Sequence, residues 1–335
     1  MAECSPLCLA TAAADDAEGL LADPTVLAVI RYGEAASFTT PSTPVAFDAR
    51  DIRIPLHPLT ASTALEVWRG AEPVKQYQHG AVILATTSCL SIGQIHLDET
   101  AFRDLEAASE YAYREILQAL AAGPHPYLLR LWNYFPAING PAGELERYQA
   151  FCIGRGRAID GAAHWPTPAA TAIGSHAAGL LIYFLAAAQP GRRIENPRQV
   201  AADRYPARYG PRQPSFARAT AKSWPSSTHL YISGTASIVG HETRHDDVIT
   251  QLKEALRNFT ALVDRTQAEQ QTPLPPLTLL KAYVRYPEQM PAVHDYLAQH
   301  VEPALPFWVL CGDICRADLL VEIEGLYAQP CSRPG

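Results

Sequence analysis

Hydrophobic and polar positions repeat along the chain with two different periods, and each period predicts one kind of element. Apolar residues that recur every three to four positions are typical of a helix with one buried face, and residues 105–119 and 248–262 show this pattern. Short runs that are apolar or alternate, such as 127–135 and 319–325, are typical of strands. The chain is therefore predicted to combine strands and helices.

The same succession of elements occurs in both halves of the chain. Each half has the order strand, helix, strand, helix, strand, strand, and the second copy follows the first by about 140–150 residues. We therefore predict an α+β protein of two tandem modules, 1–190 and 191–335, each a mixed sheet with helices packed on one face. The elements of the two copies are 81–86, 105–119, 127–135, 144–159, 171–176 and 180–186, and then 229–240, 246–263, 279–286, 290–301, 307–313 and 319–325.

A cluster of basic residues lies where the two predicted modules meet. The whole chain has a net charge of −7, yet residues 191–222 contain eight Lys and Arg against two acidic residues. This stretch overlaps the Arg-rich linker 190–214, which we expect to fold over a site between the modules. A local excess of positive charge in an acidic protein favours a small anionic ligand and argues against nucleic acid as a partner.

Cysteine content and hydrophobicity indicate a cytoplasmic protein. The seven cysteines include no CxxC pair, so we expect reduced thiols rather than disulfides or a zinc framework. The longest apolar run, 177–188, is too short to span a membrane, and we expect no secretory signal. Roughly the first 25 residues are small and acidic, and we expect a frayed terminus there.

The string HETRH at residues 241–245 matches the HExxH motif of zinc proteases. In that motif both histidines must lie on one face of a helix, and the glutamate activates a metal-bound water. Here the string follows a strand and Gly240, and the helical stripe begins only at Val248, behind Asp246 as the expected N-cap. We therefore interpret the string as turn residues and expect no metal site.

Two further motifs leave alternatives open. Residues 154–157 (GRGR) end a helical pattern and therefore do not form a dinucleotide-binding loop. Arg155 and Arg157 either bind a carboxylate or remain solvated near the end of the helix.

In the C-terminal strand, alternation places Glu322 and Glu324 on the same face. That face is either solvated or lies in a partly apolar cleft, where burial would raise the pKa of Glu322 and make it a general acid.

Several longer strings resemble a known family. Residues 215–325 are similar to a RidA/YjgF-type module, and strings spread over residues 125–325 resemble the chorismatase family more specifically. Enzymes of this family remove the enolpyruvyl group of chorismate as pyruvate and leave a dihydroxycyclohexadiene carboxylate or a hydroxybenzoate. The resemblance implies chorismate as the substrate. We expect no metal or organic cofactor, because acid catalysis and electrostatic positioning can lower the barrier. The strings are LWNYFPAIN, YQAFCIGR, PAATAIGSH, IENP, YGPRQPSFARAT and GDICRADLLVEIEG.

The resemblance also implies which residues carry the reaction. Glu322 matches the family's catalytic glutamate by position, and we assign it the role of proton donor to the enol ether. Gly234 and Cys311 are similar to the hydroxybenzoate-forming branches, which favours 3-hydroxybenzoate as the product and 4-hydroxybenzoate as a co-product. Without the family, Gly234 permits a bend in a strand and Cys311 is a small core residue.

Chorismate is a dianion, so two separate groups of side chains should hold its two carboxylates. Arginine suits this role because its planar guanidinium group binds a carboxylate through two hydrogen bonds. We expect Tyr148 and Arg155 to hold one carboxylate, and Tyr209 and Arg218, with help from Arg285, to hold the other.

One departure from the wider RidA-type superfamily bears on the reaction. Imine deaminases of that type carry a carboxylate-binding arginine where this chain has Phe307. Two other functions remain open: an imine deaminase that releases ammonia from 2-aminoacrylate, and a non-catalytic protein that binds an aromatic acid. We expect a monomer or a trimer, with no membrane partner.

Overall fold

A computed structural model describes residues 7–33, 38–39, 48–59, 65–162, 167–225, 227–270 and 273–331. Within these residues, the strands form two sheets of seven strands, one sheet of five and two short hairpins. Helices pack on one face of each of the larger sheets, which confirms the predicted α+β class. The helices are α1 (Ala17–Ala22), α2 (Leu105–Ala122), α3 (Arg147–Asp160), α4 (Val248–Glu269) and α5 (Met290–His300).

The middle sheet takes most of its strands from the first half of the chain. Helix α2 begins after Asp104, whose side chain accepts a hydrogen bond from the Ala107 amide, and the apolar stripe of α2 packs on this sheet. Helix α3 packs beside α2 on the same face. In spatial order the strands are Asp313–Ile314, Ala169–Ser175, Tyr127–Pro136, Leu180–Ala187, Leu90–Leu97, Val82–Thr86 and Lys75–His79.

The C-terminal sheet repeats this arrangement with α4 and α5 on its outer face. The N-cap of α4 is Asp247 and not the expected Asp246, because the Asp247 carboxylate accepts hydrogen bonds from two helix amides. Helices α4 and α5 connect strands of this sheet. Those strands occupy the same places in the strand order as the strands that α2 and α3 connect in the middle sheet, so the predicted repetition is present. In spatial order the strands are Arg192–Ile194, Ala219–Ser223, Thr228–Ala236, Val321–Tyr327, Leu277–Val284, Phe307–Cys311 and His57–Pro58.

A third, N-terminal sheet was not predicted. Its first strand lies in the segment that we expected to be frayed, and that expectation is wrong because Leu7 and Leu9 of this segment are buried. Helix α1 packs on its outer face. In spatial order the strands are Gln329–Pro330, Cys8–Ala12, Leu65–Arg69, Val26–Tyr32 and Asp51–Ile54.

A disulfide joins Cys8 in the first strand to Cys331 near the end of the chain. The prediction that the cysteines are reduced thiols is therefore wrong for this pair, and also for Cys89, which is disulfide-bonded. The two residues are 323 positions apart, so cysteine spacing gave no sign that their strands would lie side by side. Cys152, Cys311 and Cys315 are free thiols. The cytoplasmic location loses this support and stays a prediction.

The inner faces of the three sheets enclose one common hydrophobic core. Ile30 of the N-terminal sheet, Trp132 of the middle sheet and Tyr283 of the C-terminal sheet all belong to it. Polar groups that lie between the sheets are thereby removed from water, which makes their hydrogen-bond partners decisive for their charge.

The sheets also exchange strands across the predicted module boundary. Residues 57–58 pair with the C-terminal sheet, and residues 313–314 pair with the middle sheet. The boundary at residue 190 stays a prediction. The strand Leu90–Leu97 was missed because its sequence was interpreted as a connection to α2. None of the helices in the described part of the chain has both the length and the apolar character that a membrane crossing requires.

Candidate active site

A cavity of about 270 Å³ lies between the start of α3, the linker and one end of the C-terminal sheet. A recess of about 30 Å³ adjoins it and shares five lining residues with it: Tyr148, Phe216, Gly234, Cys315 and Glu322. Polar and aromatic side chains dominate the lining, which suits a small ligand that carries both a ring and charges. The residues that line the cavity are Glu146, Tyr148, Gln149, Tyr205, Arg208, Tyr209, Pro214, Phe216, Arg218, Gly234, Ala236, Ile238, Cys315, Arg316, Ala317, Asp318 and Glu322.

Glu322 is buried at the inner end of this cavity, with a relative exposure of 5%. Burial raises its pKa to about 8, and the negative charge of Glu324 adds to this effect, whereas Arg130 and Arg218 oppose it. Among the described residues, none forms an ion pair with Glu322. The carboxyl group therefore keeps its proton at neutral pH.

Gly234 makes room for this carboxyl group. A Cβ atom at position 234 would lie 1.9 Å from Oε1 of Glu322, so any other residue would displace the acid. The backbone is irregular here because Ser233 and Gly234 together oppose one residue of the neighbouring strand, as in a β-bulge. The Gly234 amide donates a hydrogen bond to Oγ1 of Thr171 at 2.9 Å, which fixes the bulge to the middle sheet.

Three arginines that line the cavity or its recess have buried N–H groups without a hydrogen-bond partner. Arg155 of α3 is 3% exposed, and its Nε and Nη2 have no hydrogen-bond partner. Nη2 of Arg218 donates to the Tyr205 hydroxyl at 2.6 Å, but its Nε has no partner. Nη2 of Arg316 has none either, while its Nη1 donates to a backbone carbonyl. Of all the arginines in the described part of the chain, only these three have buried unpartnered N–H groups.

Aromatic side chains hold these guanidinium groups in place. Arg316 lies over the ring of Tyr209 at 4.0 Å and over that of Tyr205 at 5.0 Å. Arg155 lies 5.2 Å from the ring centroid of Phe151. No acidic side chain of the described residues forms an ion pair with any of the three arginines, although Glu146 and Asp318 also line the cavity. A ligand with carboxylate groups would supply the missing partners.

Glu324 lies two residues beyond Glu322 on the same strand and is equally buried. It accepts hydrogen bonds from Nη2 of Arg130 at 2.8 Å, Oγ1 of Thr171 at 2.7 Å and Nε1 of Trp132 at 2.8 Å. Burial alone would raise its pKa, but the charges of Arg130 and Lys281 and these hydrogen bonds hold the pKa below its ordinary value. Glu324 is therefore ionised where Glu322 is not.

Comparisons with known proteins agree with this arrangement. A family model described as "Chorismatase FkbO/Hyg5-like, N-terminal" matches residues 66–186. A chorismatase of Streptomyces hygroscopicus is 36% identical over 326 residues, which cover 93% of this chain and 91% of that protein. The chain belongs to the chorismatase family. A 3-hydroxybenzoate synthase of the same organism is 38% identical over 235 residues, 65% of this chain and 68% of the other. The crystal structure of a chorismatase matches with a TM-score of 0.86 at 33% identity, and the match covers 98% of this chain and 100% of that chain.

In this member of the chorismatase family, most of the residues predicted from the sequence come together. Tyr148, Tyr209, Arg218 and Gly234 line the cavity with Glu322, and Arg155 lines the adjoining recess. Burial raises the pKa of Tyr148 well above its ordinary value, so its hydroxyl group is a neutral hydrogen-bond donor. The Tyr209 hydroxyl donates to the backbone carbonyl of residue 241 at 2.7 Å.

Two predicted residues lie elsewhere. The Arg285 guanidinium group donates to protein oxygens only, including the Asp313 carboxylate at 2.8 Å and the Leu319 carbonyl at 2.8 Å, and it does not line the cavity. Cys311 is buried against the Arg285 carbonyl in the hydrophobic core of the C-terminal sheet. The free thiol that lines the cavity is Cys315, whose pKa burial raises to about 12.

Arg316 and Tyr205 were missed in the sequence. Arg316 directly follows Cys315 inside the string GDICRADLLVEIEG, which we quoted for the resemblance without assigning its arginine a role. The string HETRH does not form a zinc-protease helix. Its first three residues belong to a tight hairpin of Ile238–Val239 with Glu242–Thr243, and His245 has a positive φ. Within the described residues, no three His, Cys, Asp or Glu side chains are grouped to hold a metal ion.

Proposed function

We propose that this chain cleaves chorismate into pyruvate and 3-hydroxybenzoate, with 4-hydroxybenzoate as a co-product. Family membership supports the substrate, since relatives over most of the chain are named chorismatases. The relative named 3-hydroxybenzoate synthase supports the product. The site supports the reaction type, because it combines an acid with groups for binding anions.

One observation carries the proposal: the buried Glu322 carboxyl, which has no ion-pair partner among the described residues, and three arginines with unpartnered buried N–H groups line one cavity and its recess. Chorismate has a ring carboxylate and an enolpyruvyl carboxylate. Arg155, with Tyr148, suits one of them at the recess, and Arg218 and Arg316 suit the other under the linker, where the Tyr209 ring holds Arg316 in place. Binding a dianion there neutralises charges that the protein alone leaves uncompensated.

Glu322 acts as the general acid in this proposal. Its proton passes to the terminal methylene carbon of the enol ether, where a C–H bond forms, and the ether carbon becomes an oxocarbenium ion. The conjugate base of Glu322 remains in the cavity. Arginine side chains already in position stabilise the negative charge that develops on the Glu322 carboxylate, without having to reorganise.

The oxocarbenium ion is then captured by water or by a hydroxyl group of the substrate itself. Capture by water consumes one water molecule and leaves pyruvate and a dihydroxycyclohexadiene carboxylate. Capture by the substrate hydroxyl leads to an aromatic product, and pyruvate and hydroxybenzoate together contain all the atoms of chorismate. Cys315 and Gly234 line the wall beside Glu322, so they are placed to influence this choice.

The direct test is incubation of the purified protein with chorismate, in which pyruvate is followed enzymatically and the aromatic products are separated by chromatography. We expect equal amounts of pyruvate and hydroxybenzoate, with kcat/KM decreasing above pH 8, where Glu322 loses its proton. Products without pyruvate would overturn the proposal. Ammonia release from 2-aminoacrylate, with no action on chorismate, would favour an imine deaminase instead.

We further infer a monomer or a trimer. Among the described residues only Phe38 and Tyr286 are large hydrophobic side chains with high exposure, and this observation favours the monomer of the two. Light scattering after size-exclusion chromatography distinguishes the two states.

A further inference from the structure

We propose that Glu324 is a positioning residue of the reaction: by binding Arg130 and Lys281 it leaves Glu322 without a cation partner and so keeps Glu322 in its acid form. The inference rests on the proposed function, in which Glu322 donates a proton.

The two glutamates belong to one connected group of atoms. Thr171 donates a hydrogen bond to Glu324 and accepts one from the Gly234 amide, and Gly234 lies against the Glu322 carboxyl. Arg130 also donates to Thr171. The hydrogen bonds of Glu324 therefore fix the backbone bulge that gives Glu322 its place.

The charges of this network balance. Nζ of Lys281 lies 2.9 Å from Oε2 of Glu66 and 3.4 Å from Oε1 of Glu324, and Arg130 pairs with Glu324. Two acids thus meet two bases between the sheets, and Tyr32 and Trp68 donate further hydrogen bonds to Glu66. Since each charge of the network has a partner within it, neither Arg130 nor Lys281 forms an ion pair with Glu322.

Charged and titratable groups approach Glu322 from several elements. Arg155, Arg218 and Arg316 have no carboxylate partner among the described residues, and their unpartnered N–H groups suit the substrate. Arg130 differs from them, because it already has a carboxylate partner in Glu324. The groups are Glu324 on the same strand, Arg130 on the strand Tyr127–Pro136, Arg218 before the strand Ala219–Ser223, Cys315 and Arg316 after the strand Asp313–Ile314, and Tyr148 and Arg155 on α3.

This arrangement predicts what happens when the network is altered. If Glu324 becomes neutral, Arg130 loses its carboxylate partner and stabilises the ionised form of Glu322. If Arg130 becomes neutral instead, Glu324 keeps its charge through Lys281 and disfavours ionisation of Glu322 more strongly. Replacing both residues removes one charge of each sign, so the two effects oppose each other.

The test is the pH dependence of kcat/KM for pyruvate release from chorismate. In Glu324→Gln the alkaline decrease should move toward acid by about one pH unit or more. In Arg130→Met it should move toward alkaline pH, and in the double variant it should return close to that of the wild type. The matched control is Glu66→Gln, which alters the same network beside Lys281 but not beside Arg130 and should leave the profile in place.

Identical alkaline limbs in all folded variants would overturn the proposal. If Glu324→Gln does not fold, Arg130→Met and the double variant decide: an alkaline shift that disappears in the double variant supports the role of Glu324, and its absence contradicts it. If the wild type releases no pyruvate, the proposed function has failed, and the infrared carbonyl band of protonated Glu322 replaces kinetics as the readout. At pH 7 that band should persist in Arg130→Met and decrease by at least about half in Glu324→Gln, and equal bands in both would contradict the inference.

Discussion

Glu322 and Glu324 stand two residues apart on one face of one strand, and both are almost fully buried. Glu324 meets four donors from the middle and C-terminal sheets and is ionised, whereas Glu322 meets none among the described residues and is protonated. Burial is the same for both, so the difference comes from their partners. A buried carboxyl is thus a structural ion or an acid catalyst according to what the neighbouring elements bring to it.

The surroundings of the two residues differ in the same way. Around Glu324 the charges cancel inside a closed core, whereas around Glu322 three arginines have unpartnered donors and an open cavity admits a ligand. The charges around Glu324 are therefore balanced without a ligand. The arginines around Glu322 gain carboxylate partners only when an anion binds.

The largest effect that separates the two glutamates should be on turnover. Glu322→Gln removes the transferable proton but keeps the size of the side chain, so we expect kcat for pyruvate release to decrease by about 10²–10⁴-fold. Calorimetry should show chorismate binding within a few fold of the wild type, because the arginines are unchanged. A variant that retains more than half of the wild-type kcat would contradict the role of Glu322.

The same pair should show opposite effects on stability. Glu324→Gln leaves Arg130 and Lys281 short of a carboxylate, and we expect the free energy of unfolding to decrease by about 3–5 kcal/mol. Glu322 has a pKa of about 8 when folded and an ordinary pKa of 4.5 when unfolded, so the folded state binds more protons between these values. The wild type therefore loses stability as pH rises through this range, because the unfolded chain ionises Glu322 and the folded protein does not. Glu322→Gln lacks this ionisation and should be more stable than the wild type by about 3 kcal/mol at pH 7.

Urea unfolding at pH 5 and pH 7 checks the direction of both changes in the free energy of unfolding. The advantage of Glu322→Gln should be small at pH 5 and larger at pH 7, while Glu324→Gln should be destabilised at both. Equal losses of stability for the two variants would show that the two carboxyl groups are not in different states.

Two arginines of α3, Arg155 and Arg157, allow a second comparison, between a residue at the site and a residue at the surface. Arg155→Met removes a buried guanidinium group with free donors, and we expect KM for chorismate to rise by about 10–100-fold, as for the loss of charge-assisted hydrogen bonds. The matched control is Arg157→Met, because Arg157 is half-exposed and pairs with Glu106. Steady-state kinetics should show KM of the control within about twofold of the wild type. Similar KM values for both variants would remove Arg155 from the site.

The smallest expected change concerns the space in front of Glu322. Gly234→Ala places a methyl group where Oε1 now lies, and the flexible end of Glu322 must move. We expect kcat to decrease by about 10-fold and the ratio of aromatic products to change, because the acid is displaced by about an ångström. Thermal unfolding should change little, and chromatography reports the ratio. Unchanged kcat and ratio would show that the position of the carboxyl group is not limiting.

The sequence was sufficient for features that depend on near neighbours. Periodicity predicted α2, α4 and the strand Val321–Tyr327, and alternation correctly placed both glutamates on one face. It could not tell them apart, because the partners of Glu324, Arg130 and Lys281, come from strands far away in the chain.

Long-range packing also explains the remaining differences. The N-terminal sheet was missed because its strands pair only through contacts between distant parts of the chain, and the disulfide depends on the same sheet. Arg285 and Cys311 lie on or beside strands that were predicted, yet their side chains are directed away from the cavity. Spacing along the chain does not report the direction of a side chain after a strand ends.

The protonation of Glu322 in the resting protein is the claim on which the account depends most. Infrared difference spectra of the wild type against Glu322→Gln, recorded between pH 5 and pH 9, report the carbonyl band of this carboxylic acid directly. The account predicts a band that is present at pH 7 and disappears with a midpoint near pH 8. A band that is already lost below pH 6 would contradict it.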